Sequence, residues 1–486
     1  MPRILISFLA LAILIPAYSK GGRLMQGPMV GSIESDKITL WARTAGECAI
    51  NIRYSSHPNF LNARLTSSVF ASAEEDYCIT VTVDNLEPNS FYYYQVLVDG
   101  EPIDYDGYPV LTAPEKEMLT KFSIGFGSGA RADHDGLQAI WLQVQNARPH
   151  AFFWLGANEA FSELAPQFQA EAYRRQRSVP FLQPLLRSIP QLATWDAPVK
   201  IGPEELDASM EIFQRYWPPP KQDSEKPAST YFTYQYGGVD FIILDTYTHR
   251  DEAKQSTILG QTQMEWLQDR LVKSEATFKV LLSGSSWSNL SDILKNTWMA
   301  FPSDRNGLFQ FIKENQIDGV MLLSGDDDEA EIKAIPMSRN GGYDLYELVS
   351  SPLAQDPKPD YSEANDQVIA IEEPYAESMN FGTLTFDMTK EDPIATLQVI
   401  NVFGENVFPE FKLRASELTN TSKASWKKKV PAEAVAHIEA RTVSALQAMN
   451  KEFSSNLGET PHTKGVRRLK AVIEDRLHTS AKHSSW

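Results

Sequence analysis

The chain changes rhythm near Pro114, and that change limits what it can fold into. Before this proline, short runs alternate apolar and polar residues: Ile38-Thr39-Leu40-Trp41-Ala42, Ala49 to Tyr54 and Tyr77 to Val83. A period of two suits strands with one buried face, and frequent turns between such strands suit a β-sandwich. After Pro114, apolar runs of strand length alternate with segments of helical spacing, the pattern of an α/β domain. Strands are predicted over Phe122–Phe126, Ala151–Leu155, Gln191–Trp195, Val239–Leu244, Phe278–Leu282 and Gly319–Leu323. Helices are predicted over Leu137–Asn146, Gln261–Lys273 and Arg305–Asn315. Further strands at Tyr343–Val349, Gly382–Phe386 and Ala395–Val402 favour a mixed sheet or paired sheets over a purely parallel one.

The first residues read as a targeting segment. Arg3 precedes an apolar run of twelve residues, Ile4 to Ile15, too short to span a bilayer but suited to a signal peptide. Pro16 breaks it, and Ala17-Tyr18-Ser19 carries small residues where a signal peptidase cuts, so the mature chain is expected to start at Lys20. An uncleaved anchor is the alternative. The expected organisation is a signal peptide at 1–19, a sandwich at 24–113, an α/β domain at 120–415 and a helical extension at 421–486. After signal cleavage no transmembrane segment is expected.

The formal net charge of −18 argues against a nucleic-acid partner, whose phosphates need a basic surface. The extension runs against that trend, with twelve Lys and Arg against six Asp and Glu from Thr421 onward. Val435, Ile438, Leu446 and Met449 mark one amphipathic helix there, and Val466, Leu469, Val472, Ile473 and Leu477 a second. Such a segment either packs on the acidic body or reaches an anionic ligand or protein partner. The chain has two cysteines, Cys48 and Cys78, both within the sandwich. In an exported protein they are expected to form one disulfide, with two separate buried thiols as the alternative.

Chemistry in α/β sheets sits in loops beyond the C-terminal ends of strands. Those loops read Gly127-Ser128-Gly129-Ala130, Gly156-Ala157-Asn158-Glu159, Trp195-Asp196-Ala197-Pro198-Val199 and Ser324-Gly325-Asp326-Asp327-Asp328. Together with Pro190-Gln191-Leu192-Ala193-Thr194-Trp195-Asp196, Leu259-Gly260-Gln261-Thr262-Gln263 and Trp298 to Arg305, their order resembles the PhoD-like alkaline phosphatases of the metallophosphoesterase class. The turn Leu86-Glu87-Pro88 before Phe91-Tyr92-Tyr93-Tyr94 resembles that of a fibronectin type III sandwich. The resemblance runs from about Gln26 to Val402. It implies an α/β metallophosphoesterase-type sandwich preceded by an all-β, fibronectin type III-like domain; the helical extension lies beyond the span of the resemblance.

The resemblance also implies an iron and calcium centre that holds the phosphoryl group and activates an oxygen nucleophile. The residues that would build it are largely replaced. Gly129 stands at the family's cysteine, Ala157 at an aspartate, and Ala197, Pro198 and Val199 follow Asp196 in place of aspartate, histidine and aspartate. Asp328 stands at a histidine position. Thiolate and imidazole suit a transition metal, and Gly, Ala, Pro and Val have no donor atoms, so the family centre is not expected to form and no catalytic residue is assigned. His134, near the first loop, is expected to be solvated, Ser128 to belong to a turn, and Asp245 to order its loop. The acidic run Asp326 to Glu331 reads either as a solvated turn or as part of a hard-cation site. Asp196, Asp326, Asp328 and Asn158, with Glu159 as a further donor, form the candidate site for Ca²⁺, which accepts oxygen ligands alone. The expected function is an exported pseudophosphatase that binds a ligand or partner. A phosphoric ester hydrolase with a rearranged carboxylate-rich site and a structural cell-surface protein are the alternatives.

Overall fold

The computed structural model describes residues 22–440 except 105, 159–165, 196–202, 221–229, 252–255, 290–296, 326–327, 358–367 and 437. The signal-peptide segment and the extension beyond 440 therefore lie outside the described residues. The first domain contains β1 (Leu24–Ile33), β2 (Ile38–Thr44), β3 (Ala49–Ser55), β4 (Arg64–Leu65), β5 (Val69–Phe70), β6 (Cys78–Val83), β7 (Phe91–Val98), β8 (Glu101–Pro102) and β9 (Tyr108–Leu111). They form two antiparallel sheets, β1-β2-β6 and β4-β3-β7-β8, with β5 added on β3 and β9 on β7. The alternation seen in the sequence places Ile50, Ile52, Ile79, Val81 and Val83 in the core.

The expected disulfide is not present: both cysteines are free and buried. Cys48 precedes β3 in one sheet and packs in the main core, whereas Cys78 opens β6 in the other and packs beside Trp41 in a separate cluster. The two thiols thus belong to different cores. Burial raises the pKa of Cys78 to about 12, so it is an inert apolar group.

The second domain has two mixed sheets, as the long strands of its second half suggested. One has the order β12-β11-β10-β20-β21-β22, with β10 (Lys121–Gly127), β11 (Ala151–Trp154) and β12 (Gln191–Ala193) parallel. There β20 (Asn380–Asp387), β21 (Ile394–Asn401) and β22 (Phe411–Arg414) run antiparallel. The other has the order β13-β14-β15-β16-β18-β17-β19. Its parallel strands are β14 (Val239–Ile243), β15 (Phe278–Ser283), β16 (Val320–Ser324) and β18 (Leu345–Val349). Its antiparallel strands are β13 (Phe232–Tyr236), β17 (Glu331–Ile335) and β19 (Ile369–Ala370). The sheets face each other through Phe153 on Phe241 at 4.9 Å and Phe278 on Phe386 at 5.4 Å between ring centroids. The outer faces carry helices, including α1 (Ile140–Ala147), α2 (Pro166–Gln176), α3 (Gln183–Ser188), α4 (Pro203–Tyr216), α5 (Gly260–Lys273) and α6 (Pro302–Glu314).

The acidic run corrects the sequence reading. Glu331 begins β17, a strand flanked on both sides, and Glu329 and Glu331 are buried rather than solvated, with Lys333 forming an ion pair to Glu331. The start of the basic extension packs on the body, because Trp426 and Ile438 are buried in the main core. No helix among the described residues is long and apolar enough to cross a membrane.

Asp76 joins the two domains. It takes Arg43 of the sandwich at 2.9 Å, Arg174 of α2 at 2.9 Å and the hydroxyl of Tyr216 of α4. Burial raises its pKa, but the hydrogen bonds from Arg43 and Tyr216 and the charges of Arg43 and Arg174 outweigh burial and hold it below the ordinary value. A depressed carboxylate contributes stability that is fully present above its unfolded pKa of about 3.9 and is lost as pH falls through the folded pKa. The melting-temperature gap between wild type and Asp76→Asn is therefore expected to be widest near neutrality and to close in acid. A gap that does not change with pH would show that the carboxylate charge does not hold the seam.

Candidate functional site: a cluster of loops with a glutamine at its centre

The loops after β10, β11, β12, β16 and β18 gather at one edge of the paired sheets. Gly325, after β16, lies where a Cβ would come within 2.1 Å of the Leu155 carbonyl oxygen and 2.4 Å of the Ser128 Cβ. Only glycine lets the fourth loop approach the first two this closely. The first loop is tied to the second by Ala130 N–H donating to the Ala157 carbonyl at 3.1 Å. The segment after β18 is tied to the first by Leu353 N–H to Ser128 O at 2.7 Å and Ala354 N–H to Gly129 O at 2.9 Å.

That ladder delivers Gln355 into the cluster. A Cβ at Gly129, the family's cysteine position, would lie 3.0 Å from Gln355 Nε2 and 3.3 Å from its Cδ. Gly129 also holds φ +70°, a conformation that side-chain-bearing residues rarely adopt. The Gln355 amide then donates to Asp328, at the family's histidine position. Ala157, at an aspartate position, has φ +43° and only a methyl group to offer. The residues present therefore do not fit a thiolate- and imidazole-bound iron. Among the described residues no group of three or more His, Cys, Asp and Glu side chains converges as a metal shell.

The predicted hard-cation residues are only partly placed. Asp196, Asp326 and Glu159 lie outside the described residues. Asp328 is half-buried, and its carboxylate accepts from Gln355. Asn158 is buried, and its Nδ2 donates to the Thr194 carbonyl at 2.8 Å, while Oδ1 has no partner among the described residues. One oxygen donor is thus held rigidly without a donor of its own. His134 is half-exposed and sits 3.3 Å from Asp356. Asp245 orders its loop, as the sequence suggested, accepting from Tyr247 N–H and Thr248 N–H at 2.9 Å each.

Sequence reasoning missed Gln355 and Glu347. Gln355 has no periodic signal, because its role comes from a backbone ladder between distant loops. Glu347 does have one: it is a lone carboxylate inside the apolar strand β18. Its Oε1 accepts from Ser286 Oγ at 3.0 Å, Trp287 N–H at 2.8 Å and Ser324 Oγ at 2.5 Å, and its Oε2 accepts from Ser288.

The sequence matches the PhoD-like phosphatase family over residues 204–397 and that family's N-terminal domain over residues 11–104. Three of the four loops read above lie wholly or largely in the interval between those matches. Alkaline phosphatase D of Bacillus subtilis is 24% identical over 375 residues, covering 62% of this chain and 63% of that protein, so the match spans under two thirds of its length. A solved structure of PhoD superposes with a TM-score of 0.63 at 17% identity, covering 83% of this chain and 92% of that one. A purple acid phosphatase from yellow lupin (Lupinus luteus) seeds superposes with a TM-score of 0.59 at 14% identity, covering 81% of this chain and 74% of that one. At these identities the two superpositions show the fold.

Proposed function

The chain belongs to the PhoD-like phosphatase family, and from that premise we propose that it is an exported, catalytically impaired member, a pseudophosphatase that binds a ligand or partner. The observation that carries this reading is Gln355, whose amide fills the space beside Gly129 and bonds Asp328. Two positions where the family places metal donors are thereby bridged by a neutral side chain. Metal-ion catalysis needs a cation to polarise the ester and lower the pKa of water, and the described residues offer no shell for the transition metal. Export rests on the apolar N-terminal run and the small residues that follow it.

A second reading rests on Asn158 Oδ1, which has no partner among the described residues. With Asp196, Asp326 and Asp328 it forms a proposed site for Ca²⁺, which needs oxygen donors only. In that case the cation stabilises the fold by mass action, or supports a carboxylate-rich hydrolase.

One assay series separates these outcomes. Turnover of p-nitrophenyl phosphate with added Fe³⁺ and Ca²⁺ is expected to stay at the background rate. Robust metal-dependent turnover that disappears in Asp326→Asn would overturn the pseudophosphatase reading. If Ca²⁺ binds at Asn158, saturation to about 100 times Kd should stabilise by about 2.7 kcal/mol, and Asn158→Ala should lose most of that gain. An equal response in wild type and variant would place the ion elsewhere.

A further inference from the structure

A cleft of about 380 Å³ opens between the sandwich and the α/β domain, away from the loops described above. It lies at the other end of the strands, because Pro149 and His150 precede β11, Ile189 precedes β12, and Tyr236 ends β13 at the hairpin turn. Its volume falls in the usual range for small-molecule sites, toward the lower end. Ile33, Val110, Leu111, Leu185 and Ile189 give it an apolar wall, with the exposed ring of Phe91 at the rim.

The polar side chains lining this cleft are Gln145, Arg148, His150, Ser188 and Tyr236, and three of them, Arg148, His150 and Tyr236, offer donors. Tyr236 is buried, held by Phe122 at 4.9 Å and His150 at 5.9 Å between ring centroids. Its hydroxyl has no hydrogen-bond partner among the described residues. Burial raises the Tyr236 pKa well above its ordinary value, so the phenol keeps its proton. His150 Nδ1 accepts from Ser123 N–H at 3.3 Å, which leaves the ring proton on Nε2. Arg148 ends α1 in the left-handed conformation at φ 50°, with its N–H on the Val144 carbonyl. Arg148 lines the cleft, and its guanidinium meets no carboxylate among the described residues. No Asp or Glu lines the cleft, on a chain of net charge −18. A wall of aliphatic side chains with one cation and two neutral donors is complementary to an apolar body that carries an anionic head.

We propose that this cleft binds a single-tailed amphiphile with a carboxylate or phosphate head. The tail lies along Val110, Leu111 and Ile189, and the head is met by Arg148, with His150 and Tyr236 as additional donors. Medium-length tails fit the volume. A buried methylene strengthens transfer from water enough to raise affinity roughly fourfold. Calorimetric titration of the full chain should therefore show affinity climbing by about that factor per methylene from hexanoate to decanoate.

Head-group arms test the rest. Decanoate and decyl phosphate should both bind, the tighter of the two identifying the preferred head, and decyltrimethylammonium should not. Arg148→Ala, at an exposed position, should fold normally and weaken decanoate about tenfold or more while leaving decanol unchanged. Ile189→Trp should fill the cleft and remove both ligands. The proposal is overturned if wild type binds neither anion, if the ammonium amphiphile binds equally well, or if decanoate binds Ile189→Trp as it binds wild type. An unchanged decanoate affinity in Arg148→Ala would also overturn it. None of these readouts depends on phosphatase activity.

Discussion

Replacing Glu347 with alanine is expected to destabilise the protein by about 3–5 kcal/mol. The side chain is fully buried, and its two oxygens accept from three serine hydroxyls and the Trp287 N–H. Truncation takes the acceptor away from all four donors, and each group left unsatisfied costs about 1–3 kcal/mol. It also removes the carboxylate that favours the charged form of Arg305. Burial lowers the pKa of that guanidinium to about 10, and the charge of Glu347 opposes the shift. Glu347→Gln separates the two effects. Its amide oxygen can keep the three donors that meet Oε1, and the Ser288 hydroxyl can turn to accept from the amide nitrogen. The expected cost is then about 1–2 kcal/mol. Equilibrium urea denaturation of both variants measures the difference. An alanine variant within about 1 kcal/mol of wild type would mean that Glu347 does not hold the 283–289 loop. The consequence reaches the site, because Ser324, one of the four donors, begins the loop that carries Asp326 and Asp328.

Glu347 also shows where sequence reading succeeds and where it stops. The alternation in Ala49 to Tyr54 and the apolar runs at Phe122 and Val320 are local patterns, and they became β3, β10 and β16. Hydrophobic periodicity reports which face is buried, so strands that bury a regular face are legible. The hairpin of β13 and β14 had the same signal, since Phe232 to Tyr236 alternates around Thr233 and Gln235 and Gly237-Gly238 supplies the turn, yet β13 is absent from the strands predicted above. The run from Asp326 to Glu331 looked solvated because charge is usually exposed. Burial of Glu331 depends on Lys333, two residues along the same strand, and on the strands at both sides. The cysteines misled for a related reason. Closeness in sequence and compartment says nothing about which face of a sandwich each thiol occupies. In the site, the missing donors at Gly129 and Ala157 were legible as chemistry. The glutamine that fills the gap was not, since it arrives through main-chain bonds between loops distant in sequence.

Arg177 is the second residue whose loss is expected to be costly. It follows α2 and is buried at the seam between the domains, surrounded by aromatic rings from both. Its guanidinium carbon lies 4.3 Å from the Trp217 ring centroid, 5.0 Å from Trp41, 5.2 Å from Tyr216 and 5.7 Å from Tyr173. Trp41 belongs to the sandwich and the other three to the α/β domain, so one cation is shared across the junction. Its two terminal nitrogens donate to the carbonyls of Tyr173, at 3.2 Å, and Tyr216, the last residue of α4. A cation there also complements the negative end of that helix. Arg177→Ala removes a large buried group and its cation–π contacts together. The expected loss is about 3–5 kcal/mol, the range for truncating a large core side chain. Lysine should recover less than half of it, because an ammonium cannot lie flat among the rings while reaching both carbonyls. Methionine restores volume without charge. If packing alone holds the seam, it should therefore outperform lysine; if the shared cation dominates, lysine should win. Scanning calorimetry supplies the second readout. The sandwich and the α/β domain should melt together in wild type and as two separated transitions in Arg177→Ala. A single transition at an unchanged temperature in that variant would show that the remaining contacts, Trp41 Nε1 to the Arg215 carbonyl at 2.8 Å and Tyr234 to the Ile33 carbonyl at 2.9 Å among them, are enough to couple the domains.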